Sequence, residues 1–200
     1  DVLYNGYSDF GSLTHIPGKD GLRNKDISAV TEDNFGNLWI CTPYGLNIYN
    51  RAEDSFIDLK KEKGFNIPAS SYILSITKSK DGIVWAGART GGLYKFDITG
   101  KNDFKNKHIQ PDGFDLSKTS VHYIYEDDSG IIWLSTAAAG LLRYEPHSNT
   151  IRQYLDGEEG EKPGHPYVFT ILEDSYKNLW VGTASGGLNL FDRNKEKFIY

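Results

Sequence analysis

Apolar and polar residues alternate in short runs along this chain, and the runs themselves recur with a longer period. The tryptophans at the centre of the strongest runs are Trp39, Trp85, Trp133 and Trp180, and they follow one another at intervals of 46, 48 and 47 residues. An apolar β-former lies nine residues before each Trp (Val30, Ile76, Ile124, Ile171) and a second lies twelve before (Ile27, Ile73, Val121, Val168). Between that run and the Trp comes a turn, written Asn34-Phe35-Gly36-Asn37, Asp81-Gly82, Asp128-Ser129-Gly130 and Ser175-Tyr176-Lys177-Asn178. These residue types accept left-handed or side-chain-bonded turn geometry. After each Trp a small-residue loop closes on Gly45-Leu46, Gly92-Leu93, Gly140-Leu141 or Gly187-Leu188. The Gly supplies a positive φ or a close backbone approach, and the Leu opens the next strand.

Each period therefore predicts four strands, A to D from inside outward; in the first unit they run over 27–31, 38–42, 46–50 and 55–59. No stretch carries helical period, so the chain reads as all-β. Four antiparallel strands in a period of roughly 40 to 50 residues make one blade of a β-propeller. A single blade cannot bury both faces, and stacking blades around an axis does so. Residues 27–59, 73–109, 121–155 and 168–200 read as complete blades. Residues 1–16 read as a partial one, because Val2-Leu3-Tyr4-Asn5 aligns with Asn47-Ile48-Tyr49-Asn50. The expectation is about four and a half blades, an open arc of a larger propeller whose bare edges favour association.

Composition narrows the possible partners. With 22 Lys and Arg against 27 Asp and Glu, the net charge is −5, which argues against nucleic acid as a partner of this segment. No apolar run approaches the roughly 20 residues of a membrane-spanning helix, so membrane insertion by this segment is not expected. The chain starts at Asp1 and contains no Met, reading as a processed or excised segment. Cys41 is the single cysteine and can form neither an internal disulfide nor a cysteine cage, which leaves the redox compartment open. The 27 aromatic residues (13 Tyr, 10 Phe, 4 Trp) and 21 Gly suit strands joined by tight turns.

The units Glu32-Asp33-Asn34-Phe35-Gly36-Asn37-Leu38-Trp39-Ile40-Cys41-Thr42 and Glu173-Asp174 through Thr183, each followed by Gly-Leu and a strand ending in Tyr49-Asn50 or Phe191-Asp192, resemble two-component regulator propeller repeats. The resemblance covers residues 2–200. It implies the periplasmic sensor portion of an inner-membrane hybrid histidine kinase of the Bacteroides type, detecting oligosaccharides, with kinase and output domains outside this sequence. Lys177 departs from the pattern where a turn Gly is expected, as do Ala86 and Leu134 at the Ile/Val place after Trp.

Among the candidate sites, the four Trp residues read as core and the Gly-Leu pairs as structural. Acidic residues cluster in turns (Asp127-Asp128, Glu158-Glu159, Glu173-Asp174), where they are expected to cap tips and face solvent. No acid–base pair, G-x-S-x-G, Walker loop or G-x-G-x-x-G is present, so this segment reads as non-catalytic. The histidines have no ligand spacing, and neither a cofactor nor a metal is expected; calcium at Glu158-Glu159-Gly160-Glu161 is the weaker reading of a solvated loop. Ligand contacts are expected on the face carrying the B-to-C loops and the long D-to-A connections. Tyr44 and Arg89 come from the former, and Tyr72, His122, His165 and Tyr167 stand near the starts of A strands. Aromatic planes with Arg and His donors suit an oligosaccharide; neighbouring blades or domains of the same receptor, or a homodimer, are the other expected partners. A carbohydrate-active propeller enzyme of sialidase or lyase type, for which Asp128-x-Gly130-x-x-Trp133 offers an Asp-box-like turn, and a protein-binding scaffold are the alternative readings.

Overall fold

The computed structural model describes residues 22, 24–57, 59, 67, 71–100 and 103–199. It is all-β, with four four-stranded antiparallel sheets whose strands neighbour one another in chain order. The first blade comprises β1 (Ala29–Glu32), β2 (Leu38–Thr42), β3 (Gly45–Asn50) and β4 (Ser55–Ile57). The second comprises β5 (Ile73–Lys78), β6 (Val84–Ala88), β7 (Leu93–Gly100) and β8 (Asp103–His108). The third has β9 (Val121–Glu126), β10 (Ile132–Thr136), β11 (Leu141–Glu145) and β12 (Thr150–Tyr154), and the fourth has β13 (Val168–Glu173), β14 (Leu179–Thr183), β15 (Leu188–Asp192) and β16 (Lys197–Ile199). The inner strands β1, β5, β9 and β13 pack on one another in that order, as in an arc of propeller blades around an axis. The partial blade expected over 1–16 lies outside the described residues, as does most of the connection from Lys60 to Ser71. The first strand begins at Ala29 rather than Ile27, although the Ser28 amide still donates to the Cys41 carbonyl. The D-to-A connection before β9 contains one 3₁₀ turn, Leu116–Lys118, capped by the Asp115 side chain accepting from the Ser117 amide.

The core is a series of interblade layers. Trp39, Leu46 and Ile48 pack against Ile73, Val84, Phe96 and Phe104 of the second blade. Trp85 and Leu93 meet Val121, Ile132, Leu142 and Tyr144 of the third, and Trp133, Leu141 and Tyr154 meet Ile171, Leu179, Val181 and Phe191 of the fourth. The contact repeats geometrically. The ring of Trp39 lies 4.9 Å from Phe96, Trp85 6.1 Å from Tyr144 and Trp133 5.4 Å from Phe191, each at a steep interplanar angle. Edge-to-face pairing adds a directional component to apolar burial.

The acidic turn residues do not simply face solvent. Asp33 and Asp127 are buried, and each folds its carboxylate inward over the A-to-B turn. Asp127 Oδ1 accepts from the Ser129 and Ile131 amides, and its Oδ2 accepts from the Trp133 indole Nε1 at 2.9 Å. Asp33 does the same for Trp39 (2.9 Å) and Asp174 for Trp180 (2.8 Å). Three or more N–H donors at one carboxylate offset its loss of water. In the second blade Ser79 occupies this place, and the buried Trp85 Nε1 has no partner. Glu173 is also turned inward, with its side chain 5% exposed and paired to Lys177 and Arg193. Burial, followed by the nearby Glu173 charge, pushes the Tyr125 hydroxyl up to about 12.

Lys177 holds a φ of +69°, the conformation that Gly36, Gly82 and Gly130 adopt at the equivalent turn position. Its ammonium bonds Asp128 and Glu173, which offsets part of the strain of a left-handed non-Gly residue.

Candidate functional site

The site is built where A strands begin. In the second, third and fourth blades the A–B pairing skips one residue, leaving Leu74, His122 and Phe169 outside the ladder. A bulge of this kind bends the strand and re-aims the extra side chain. The residue two positions before each bulge is Tyr72, Ser120 or Tyr167. The carbonyls of these three residues accept from the first amides of the facing B-to-C loops: Arg89 (2.8 Å), Ala137 (3.3 Å) and Ala184 (2.9 Å). The B-to-C loops are thereby fastened to the A-strand starts on one face. The D-to-A connections brace them from outside. Gly92 and Gly140 have φ of +68° and +70°, and a Cβ on either would stand 2.2 Å or 2.1 Å from the carbonyl oxygen of Leu116 or Tyr154. Only glycine allows that approach.

Five of the six expected contact residues fall into one cluster on this frame. The Arg89 guanidinium lies 5.8 Å from the centre of the Tyr72 ring, within cation–π range. His122 and Tyr167 have ring centres 5.1 Å apart, with the Tyr167 hydroxyl 3.3 Å from His122 Nε2. Burial and the nearby Arg89 charge both lower the pKa of His122, so its imidazole is neutral at pH 7 and its Nε2 can accept from the Tyr167 or Ser120 hydroxyl. His165 Nδ1 accepts from the Tyr167 amide at 3.0 Å and so orients the ring from behind. Tyr44 stands apart from this cluster in the first blade. It is 60% exposed, and its amide is held by Thr42 Oγ1.

Sequence reasoning missed Ser120 and Phe169. Phe169 is 51% exposed and its ring centre lies 4.7 Å from that of Tyr167, which extends the aromatic platform. Its position one after Val168 matches that of His122 after Val121, and this alignment was the available signal. The cluster contains a guanidinium, three hydroxyls (Tyr72, Ser120, Tyr167), two imidazoles and three aromatic faces, a set suited to stacking and hydrogen bonding. Among the described residues no three His, Cys, Asp or Glu side chains converge as a metal site, the Glu158–Glu161 loop included. No described helix is long and apolar enough to cross a membrane.

Comparison with known proteins places these features. Residues 21–44, 115–138 and 162–185 match the two component regulator propeller family. Histidine kinase P4 of Formosa agariphila is 28% identical over 145 residues, 71% of this chain and 10% of that protein. The chain thus spans about a tenth of the length of the curated relative it matches. The fold is similar to that of the extracellular domain of a hybrid two component system from B. thetaiotaomicron, with a TM-score of 0.67 and 24% identity over 90% of this chain and 22% of that one. It is also similar to PorZ, a bacterial surface component of the type-IX secretion system of Porphyromonas gingivalis, with a TM-score of 0.66 and 16% identity over 97% of this chain and 29% of that one. The Trp-centred unit is thus repeated in four stacked blades, and three stretches of the chain match the two component regulator propeller family.

Proposed function

We propose that this stretch is part of the extracytoplasmic sensor region of a two-component histidine kinase, and that it senses an oligosaccharide at the face carrying Tyr72, Arg89, His122 and Tyr167, with His165 behind and Tyr44 at the margin. The observation that carries the sensor reading is the similarity to a histidine kinase over 71% of the chain, beside three stretches that match the two component regulator propeller family. The site reading is supported by the bulges, which turn His122 and Phe169 out of the ladder beside the Arg89–Tyr72 pair. In this role the segment makes and breaks no covalent bond. Sugar rings stack on Tyr72 and Tyr167, Arg89 donates a fork of hydrogen bonds, and binding biases the arrangement of blades toward the kinase. Calorimetric titration of the protein and its Arg89→Ala and Tyr72→Ala variants against a panel of oligosaccharides tests this. Loss of the Arg89 fork costs about 1–3 kcal/mol of binding where its partner is left unpaired. Unchanged affinity in both variants moves the site elsewhere, and turnover of the sugar during titration replaces the sensor by an enzyme.

A further inference from the structure

We propose that the face carrying Tyr72, Arg89 and His122 selects an acidic saccharide, whose carboxylate or sulfate group pairs with the Arg89 guanidinium; this names the ligand class for the oligosaccharide reading above and rests on it. The observation is a cation without a counter-ion. Among the described residues, Arg51, Arg143, Arg152 and Arg193 each hold a glutamate carboxylate, that of Glu32, Glu145, Glu196 and Glu173 respectively. Arg89 holds none, and no described side chain accepts a hydrogen bond from its guanidinium. The connection that braces the Arg89 loop, through the Gly91 amide on the Ser117 carbonyl, brings in Asp112 and Asp115. Both are engaged elsewhere: Asp112 accepts from the Asn149 side chain, and Asp115 from the Ser117 hydroxyl and the Lys118 ammonium.

Arg89 is exposed, with its guanidinium 5.8 Å from the centre of the Tyr72 ring. A neutral sugar stacked on that ring would strip water from the guanidinium and leave its charge uncompensated. A carboxylate or sulfate instead takes two of the N–H donors in a bidentate, charge-assisted pair. His122 adds a second consequence. It faces Arg89 of the second blade and Tyr167 of the fourth, with Ser120 at the start of its own strand and His165 bonded to the Tyr167 amide behind. No described carboxylate acts on it, and after burial the Arg89 charge helps to keep its imidazole neutral. An anion seated on Arg89 cancels that repulsion and attracts the imidazolium, so His122 takes a proton from solvent as the acid binds. Affinity for an acidic saccharide therefore rises as the pH falls from about 8 toward 6. A neutral sugar only buries the imidazole further, which holds the proton off.

Calorimetric titration of the full-length protein isolates the charge when ligands are offered in pairs that share their linkages: uronic-acid oligosaccharides with their carboxyl-reduced counterparts, and sulfated oligosaccharides with their desulfated counterparts. The acidic member of at least one pair is expected to bind at least about tenfold more tightly, and the pair that shows this preference identifies the anionic group. Arg89→Gln removes the preference while melting with the parent protein. Titration in two buffers of different ionisation enthalpy reads proton uptake for the acidic member, and His122→Phe abolishes that uptake. Equal affinity within every pair, tighter binding of the neutral members, or an acidic preference that persists in Arg89→Gln overturns the acidic-ligand inference and leaves the oligosaccharide reading standing. Binding of no member of either kind overturns the oligosaccharide reading and this inference with it.

Discussion

The second blade is a natural deletion of the turn clamp, and restoring the clamp should stabilise the protein. Ser79 stands six residues before Trp85, as Asp33, Asp127 and Asp174 stand before Trp39, Trp133 and Trp180. The backbone of the turn is already in place, since the Ser79 amide donates to the Ile83 carbonyl as the Asp127 amide does to Ile131. Only the acceptor for the buried Trp85 Nε1 is missing. An unsatisfied buried donor costs about 1–3 kcal/mol. A carboxylate at residue 79 must be desolvated, but the indole and the amides of residues 81 and 83 surround it with donors. Asp81 is the complication. Its carboxylate accepts from the Ser79 hydroxyl, and two facing carboxylates repel by about 1 kcal/mol in a water-like environment. The double substitution Ser79→Asp, Asp81→Ser copies the Asp127-x-Ser129 pattern and removes that repulsion.

The expected gain is about 1–2 kcal/mol. At roughly 2–4 °C per kcal/mol for a chain of this size, the melting temperature rises by about 2–8 °C. The reverse change, Asp127→Ser, leaves the Trp133 indole and the Ser129 and Ile131 amides without their acceptor and should cost about 2–4 kcal/mol. Urea titration with thermal melting gives both values, and amide exchange across residues 79–85 localises the gain to the turn. A double variant no more stable than the parent, or an Asp127→Ser variant melting with the parent, would refute the clamp as an energetic unit.

Further outcomes follow from the same geometry. Lys177→Gly relieves a left-handed backbone strain of about 1–2 kcal/mol and loses exposed ion pairs of smaller value, so the melting temperature should rise at high salt, where those pairs are screened. Ala88→Thr places in the second blade the hydroxyl by which Thr42, Thr136 and Thr183 donate to the loop glycine carbonyl; it should stabilise by about 1 kcal/mol in a denaturant titration. Acid stability should fall in two windows. His122 has a folded pKa below 6.5, so it opposes folding as it must charge, from about pH 6.5 downward, and His122→Phe removes that limb of the melting curve against pH. Asp128 and Asp174 are held at about 2, mainly by Lys177 and by the Trp180 indole respectively, so their contribution is full above pH ~4 and is lost between about 4 and 2. Asp128→Asn should flatten the lower window.

The Trp period and the Gly-Leu pairs made the blades readable, because each recurs at a position that must be buried between sheets and the sequence repeats it in register. The Asp–Trp clamp was not readable in that way. An acid in a turn has the same sequence appearance whether it points to water or folds back on an indole six residues later, and only the curl of the turn decides. The bulges escaped for a related reason. One unpaired residue at the start of an A strand leaves the apolar alternation after it intact, so His122 and Phe169 look like ordinary strand positions until the register is seen. Tyr72 and Arg89 were legible as loop residues on a common face. Tyr44 shared that signature, and its separation from the cluster reflects which blade carries it rather than any difference in local sequence.

The blade that departs most from the repeat also carries the centre of the candidate site. It has Ser79 in place of the clamping Asp and Ala88 in place of the clamping Thr, and its B-to-C loop continues directly into Arg89, whose amide is bonded to Tyr72. Local rules that the other three blades obey are broken twice within one sheet, and in folded proteins such exceptions gather where function outweighs stability. A blade that keeps the backbone bonds of its turn and loop but lacks the Asp–indole and Thr–carbonyl bonds can shift relative to its neighbours at lower cost than one that has both. Under the proposed function, ligand contact at Arg89 would then act on the blade that lacks both side-chain bonds. Ala88→Thr separates the two effects of that loop. If looseness there transmits the signal, the stabilised variant binds sugar with unchanged or higher affinity while kinase output in the complete receptor falls. If the variant binds and signals like the parent, the missing clamps are incidental to function.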